Sequence, residues 1–368
     1  MYEQGAPAVL RYEQETIGEP CHDQVLVRQA AIGVNHADVD YRNGSAHIDR
    51  FPFINGFEAA GTVEATGPDV GDFRVGDRVA YHFAPGAYAE ARLISAHQLI
   101  PLPDDVTFEQ AAAVFAKGLT AHMLVKRVYP ITAGDLVVVH AATGGVSTLV
   151  ARWAKALGAT VIEIVGSGSN SEAAHHDGVD YVIATDNQDF RAHVREITEA
   201  NGVDVVYGEV GLDTLVRSLD LIRPFGKIVL FEWAAGAPDP VDTIRLLARS
   251  TSVVTPAVSG HIPDRDSLER AAAAVFSALR TGVFGDVPVR TYPLSRAAAA
   301  HADLEQRRTT GPVVLVPTPY EDGYVRQPEI SPPTHREELQ PRARTPQSVR
   351  ASAICPHEIS PDRLQLVH

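Results

Sequence analysis

Val137-Val138-Val139-His140-Ala141-Ala142-Thr143-Gly144-Gly145-Val146-Ser147 runs from an apolar stretch into a glycine turn and on into residues of helical period. The apolar run reads as a strand and residues 148 to 157 as a helix. A helix that starts directly after a strand points unpaired N–H groups and the positive end of its dipole at the turn. Glycine there lets a phosphate approach the backbone. The dinucleotide fingerprint asks for small residues at three places, here Ala142, Gly144 and Ser147. Two of the three glycines are replaced, so the spacing alone is a weak match. The strand before it, the helix after it and a next strand ending near residues 163 to 166 strengthen it. A glycine turn that holds no ligand is the alternative.

From this point the chain alternates. Apolar runs at Leu136–Val139, Thr160–Val165, Tyr181–Ala184, Val203–Tyr207 and Lys227–Phe231 are separated by helix-period segments near 189–200 and 213–222. Continuous apolar strands linked by helices predict a parallel sheet covered on both faces. The first third instead carries short strands, Gln24–Arg28, Gly61–Ala65 and Arg78–Tyr81, punctuated by glycines at 67, 71, 76 and 86. Thr107-x-x-Gln110 is a capping box that opens an alanine-rich helix. Further helices are expected over Ser267–Leu279, with Asp264 and Asp266 as candidate caps, and over Ser295–Gln306, then a last strand Val313–Val316.

Composition narrows the function. The chain has 368 residues, enough for about two domains, and a net charge of −14 that repels phosphate backbones and anionic lipid. Nucleic acid and membrane are therefore not expected partners. Two cysteines cannot build a disulfide framework or a four-cysteine zinc site, and neither a leader nor a long apolar run is visible, so a cytoplasmic setting is expected. Residues 318–368 hold 8 of the 25 prolines and almost no apolar periodicity, which predicts a disordered tail.

Gly56-Phe57-Glu58-Ala59-Ala60-Gly61-Thr62-Val63 with Gly67, Gly76-Asp77-Arg78-Val79, Lys117-Gly118-Leu119-Thr120-Ala121, the turn quoted above and Trp153-Ala154-Lys155-Ala156-Leu157-Gly158-Ala159 occur in one order. Together they resemble the zinc-independent quinone oxidoreductase (zeta-crystallin-like) branch of the medium-chain dehydrogenase/reductase superfamily, over about residues 20–317. The resemblance implies an α/β protein: a GroES-like β-rich catalytic domain over 1–115, completed by 259–317, around a Rossmann doubly wound parallel sheet over 116–258. It also implies NADPH, a homodimer, and hydride transfer to a small-molecule quinone or α,β-unsaturated carbonyl. Asn35 stands at the family's active-site asparagine. Thr120, Ala142, Gly144, Gly145, Val146, Ser167, Asn170, Thr185 and Phe231 stand along the expected cofactor path. Zinc-dependent relatives carry a histidine where this chain has Phe57 and a cysteine near Asn35, so no metal is expected.

Some positions depart from the family pattern. The usual basic contacts to a 2′-phosphate are replaced by Asn170 and Thr185-Asp186, which weakens the preference over NADH. Ser147 adds a hydroxyl where helix and strand pack closely, and so is expected to loosen the turn. Glu209 and Glu232 fall at the carboxyl ends of parallel strands, where ligands bind in such sheets. They motivate an alternative, a reductase scaffold turned to acid/base chemistry such as cyclisation or isomerisation. A non-catalytic role is a third reading, and the acidic body opposes RNA.

Overall fold

The computed structural model describes residues 1–141, 145–166, 178–184, 190–209, 212–232, 243–306, 308–309 and 311–317. The expected tail, 318–368, lies outside them. Two sheets organise the described residues. The first is built from β1 (Gln24–Val34), β2 (Ala59–Thr66), β3 (Arg78–Tyr81), β4 (Ala91–Ser95) and β5 (Leu99–Pro101), joined late in the chain by β12 (Arg290–Pro293) and β13 (Val313–Val316). Its order is β12-β13-β1-β2-β3-β5, with β4 also on β1. The second holds β6 (Leu136–Ala141), β7 (Thr160–Val165), β8 (Tyr181–Ala184), β9 (Val203–Glu209), β10 (Ile222–Glu232) and β11 (Ser252–Val254) in the order β11-β10-β9-β6-β7-β8, with every pairing parallel.

The parallel sheet follows from its sequence. Val137, Val138, Val139, Val161 and Ile162 are all fully buried, which requires cover on both faces and explains why these strands read as unbroken apolar runs. From β6 the chain steps outward to β7 and β8, then returns to place β9 on the other side of β6. That reversal is a topological switch point, and the carboxyl ends of β6 and β9 flank the place where doubly wound sheets bind ligands.

Helix α1 (His36–Asn43) follows β1, and α2 (Phe108–Met123) lies between the two sheets. The Thr107 box forms as read: the Thr107 hydroxyl accepts from Gln110 N at 3.1 Å and the Gln110 side chain accepts from Thr107 N at 3.0 Å. Residues Ala111 to Leu119 of α2 are buried without exception, because the helix packs on β1 and β2 along one side and on α3 (Gly145–Ala156) along another. Alanine suits this place, since small side chains let elements approach from several directions. Phe115 stacks on Phe276 of a later helix at 5.3 Å, and burying each ring contributes on the order of 2 kcal/mol. One apolar cluster runs from Ala60 and Ala80 of the first sheet through α2 to Val139 and Val205 of the second. Residues 115 and 116, where the sequence places a change of domain, are thus neighbours inside one continuous helix.

Several elements exceed their sequence reading. β1 extends to Val34 because β13 pairs with its end, Gly33 opposite Val314, while β2 pairs on the other side, Ile32 opposite Ala59. β10 begins five residues early, across a register irregularity between Ile222 and Lys227.

Candidate active site

The site grows from the end of β1. Asn35 precedes α1, and Asp38 in the first turn accepts from Asn35 N at 2.8 Å, which fixes the entry of that helix. The Asn35 carboxamide is held at both ends. Its Nδ2 donates to Glu58 Oε1 at 2.7 Å, and its Oδ1 accepts from Lys117 Nζ at 2.9 Å. Glu58 is 1% exposed and Lys117 9%, whereas Asn35 is only half-buried. Asn35 is therefore the member of the trio that reaches outward.

Each member is delivered by a different element. Glu58 directly precedes β2, and its Oε2 accepts the backbone N–H of Ala116 from within α2 at 2.9 Å. Such convergence needs Gly33, because a Cβ there would sit 2.2 Å from Glu58 Oε1 and 2.4 Å from Ala112 O. Lys117 follows Ala116 on α2, its ammonium 3.6 Å from Glu58 Oε1. Its stem passes over the first turn of α3, where a Cβ on Gly145 would come 2.8 Å from Lys117 Cδ.

Burial dominates the electrostatics. It raises the Glu58 carboxyl, against the pull of Lys117, Asn35 and the Ala116 N–H. Asp38 is raised by burial to about 7, opposed by the Asn35 N–H and reinforced by the Glu58 charge. Desolvation, reinforced by the Lys117 charge, lowers half-buried His82 to about 3, so it is neutral. Behind Asp38, the Tyr88 hydroxyl lies 3.1 Å from Asp38 Oδ2 and 2.8 Å from His301 Nε2. His301 is pushed down to about 3 by burial. It sits on the helix Ala297–Glu305, hereafter the C-terminal helix, whose Glu305 pairs with buried Arg42 of α1 at 2.5 Å. These contacts clamp α1, and with it Asn35, against the late part of the chain.

The other expected site residues fall as follows. Gly145 and Val146 form the first turn of α3, directly beyond β6 at the switch point. Ser147 is fully buried and its hydroxyl donates to His140 O at 3.2 Å, tying helix to strand, while the turn it was expected to loosen lies outside the described residues. Thr120 lies one turn along α2 from Ala116, whose carbonyl accepts its hydroxyl at 3.0 Å. Phe231 is half-buried at the end of β10 and packs on the main core. Glu209 and Glu232 are register partners on β9 and β10, and their side chains lie outside the described residues. Ala142, Gly144, Ser167, Asn170 and Thr185 also lie outside them. Between α1 and β2, His47 is exposed, while Asn55 is buried and donates to Asp38 O at 2.8 Å.

α3 opens at the switch point, where the N–H groups of a helix's first turn fit a dinucleotide's phosphates. The residues do not fit a zinc ion. Phe57 packs on Tyr41 with ring centroids 4.6 Å apart, Glu58 is consumed by its own partners, and no group of three His, Cys, Asp or Glu converges among the described residues.

Family models agree with this layout. One described as alcohol dehydrogenase GroES-like domain matches residues 22–104, and one described as zinc-binding dehydrogenase matches 145–276. A 2-haloacrylate reductase of Burkholderia sp is 38% identical over 325 residues, covering 86% of this chain and 98% of that protein. Quinone oxidoreductase 1 of Escherichia coli is 38% identical over 320 residues, covering 86% and 98%. The chain belongs to the zinc-independent quinone oxidoreductase branch of the medium-chain dehydrogenase/reductase superfamily. The crystal structure of Escherichia coli quinone oxidoreductase complexed with NADPH matches this oxidoreductase with a TM-score of 0.81 at 37% identity, covering 86% of this chain and 98% of that one.

Sequence reasoning quoted Glu58 and Lys117 of this oxidoreductase as motif residues and gave them no role. A signal existed. Lys117 interrupts a run of buried apolar residues in α2, and a lysine there must meet a partner or lose its charge. Among the described residues no helix is long and apolar enough to cross a membrane.

Proposed function

We propose that this protein reduces quinones or α,β-unsaturated carbonyl compounds with NADPH. The observation that carries the reading is the charge-held Asn35 carboxamide, linked through Lys117 to the first turn of α3. Kinship with the reductases named above supports it. NADPH supplies a hydride when bound. Gly145 and Val146, with Ala142 and Gly144, would hold its pyrophosphate through backbone N–H groups, and Thr120 would contact its nicotinamide end. Asn35 would orient the acceptor and donate its second N–H to the acceptor's carbonyl oxygen, stabilising negative charge there. Residues 1–115 with 259–317 form the catalytic part and 116–258 the dinucleotide part. Asn170 and Thr185-Asp186 reduce, without abolishing, the preference for NADPH over NADH. A cytoplasmic homodimer is the assembly we carry forward, tested by sedimentation. The comparisons do not favour the acid/base alternative built on Glu209 and Glu232.

The test is consumption of NADPH, then NADH, with benzoquinone and with an enone. Turnover with at least one acceptor is expected, and Asn35→Ala should lower kcat on the order of a hundredfold with a smaller change in KM. Absence of binding and turnover with either nucleotide would refute the reading.

A further inference from the structure

The three-way contact of Lys117 has no counterpart in the role given to Asn35 alone. A carboxamide can flip by half a turn with little change in shape, so its orientation must be set by what faces each end. Here a carboxylate faces the nitrogen at 2.7 Å and an ammonium faces the oxygen at 2.9 Å. The flipped amide would set oxygen against carboxylate and N–H₂ against ammonium, replacing two attractions by two repulsions in a buried setting. Among the described residues, the second N–H of Nδ2 is left for a ligand. The same lysine stem lies against Gly145, so one side chain touches both the asparagine and the helix start.

We infer that Lys117 is a positioning residue: its ammonium, balanced by Glu58, locks the Asn35 carboxamide in the orientation that turns an N–H toward the acceptor oxygen. It also ties that orientation to the first turn of α3. The inference rests on the reductase reading for its consequence in turnover, and on the trio's geometry for the lock itself.

Two variants test it. Lys117→Met keeps the stem and removes the charge. Lys117→Met with Glu58→Gln removes both charges, so that no lone ion is left buried. The first readout needs no nucleotide: in protein labelled with ¹⁵N-asparagine, the Asn35 side-chain N–H pair should exchange slowly with solvent in the wild type. In both variants it should shift and exchange on the order of tenfold faster. The second readout is steady-state kinetics, with kcat falling by roughly ten- to a hundredfold while KM for NADPH changes by less than about threefold. An unmoved Asn35 signal in the double variant overturns the lock. A moved signal with wild-type kcat overturns the positioning role. A wild type inert toward quinones and enones would instead refute the reductase reading, and the amide signal would still decide the lock.

Discussion

Replacing Asp38 by asparagine should make the protein more resistant to heat in mild alkali and leave it nearly unchanged in acid. Asp38 is fully buried and its carboxyl is raised from 3.8 to about 7. A raised carboxyl binds its proton more tightly in the folded state than in the unfolded chain. The folded state is thus favoured below about pH 4, and that advantage is lost as pH rises to about 7. A shift of about three units corresponds to roughly 4 kcal/mol, reached in full above neutrality. Asparagine keeps an oxygen to accept from Asn35 N and never ionises. Some of the gain is offset by weaker hydrogen bonds from Asn35 N and Tyr88, each about 1 kcal/mol. The net expectation is about 2–3 kcal/mol at pH 8, a rise in thermal midpoint of roughly 3–5 °C, and almost nothing at pH 4. Calorimetry across that range on both proteins is the assay. His82 and His301, held near 3, destabilise the wild type as pH falls below their ordinary 6.5. They act in both proteins, so the difference between the two largely cancels them. Glu58 is also raised by burial, and it loses the Asp38 charge in the variant, which adds to the same sign. A difference between the variant and the wild type that stays constant from pH 4 to 8 would refute the electrostatic account.

Two further perturbations probe the frame around Asn35. Gly33→Ala would force a Cβ to within 2.2 Å of Glu58 Oε1, with Ala112 O close behind, so β1 and α2 must separate. We expect a loss of at least roughly 3 kcal/mol, read as a lowered thermal midpoint and reduced soluble yield. Arg42→Met keeps the buried stem and removes the pair with Glu305 on the C-terminal helix. Since Glu305 is 34% exposed and can turn to water, the expected cost is about 2 kcal/mol, below that of a fully buried pair, and urea denaturation measures it.

Much of the fold was legible because it depends on local pattern. A strand buried on both faces is apolar at nearly every position, so Leu136–Val139, and Thr160–Val165 apart from Thr160 and Glu163, announce a parallel sheet without reference to anything distant. The box at Thr107 and the cap at Asp264 likewise close within four residues, and both form, whereas Asp266, the other candidate cap, lies inside the first turn of its helix. Asn35, Gly145 and Val146 were singled out by resemblance.

What partners Asn35 was decided only in three dimensions. Glu58 and Lys117 lie 23 and 82 positions away along the chain. Nothing in the spacing of 35, 58 and 117 measures the distance between their side chains. That distance is set where β1, β2 and α2 close on one another over Gly33, with β13 arriving from the far end of the chain to complete the sheet. Ser147 shows the same limit: only packing gave its hydroxyl the carbonyl of His140 as a partner. Periodicity records which side of an element is buried, whereas a buried polar group is defined by the partner it meets, and that partner is chosen by packing.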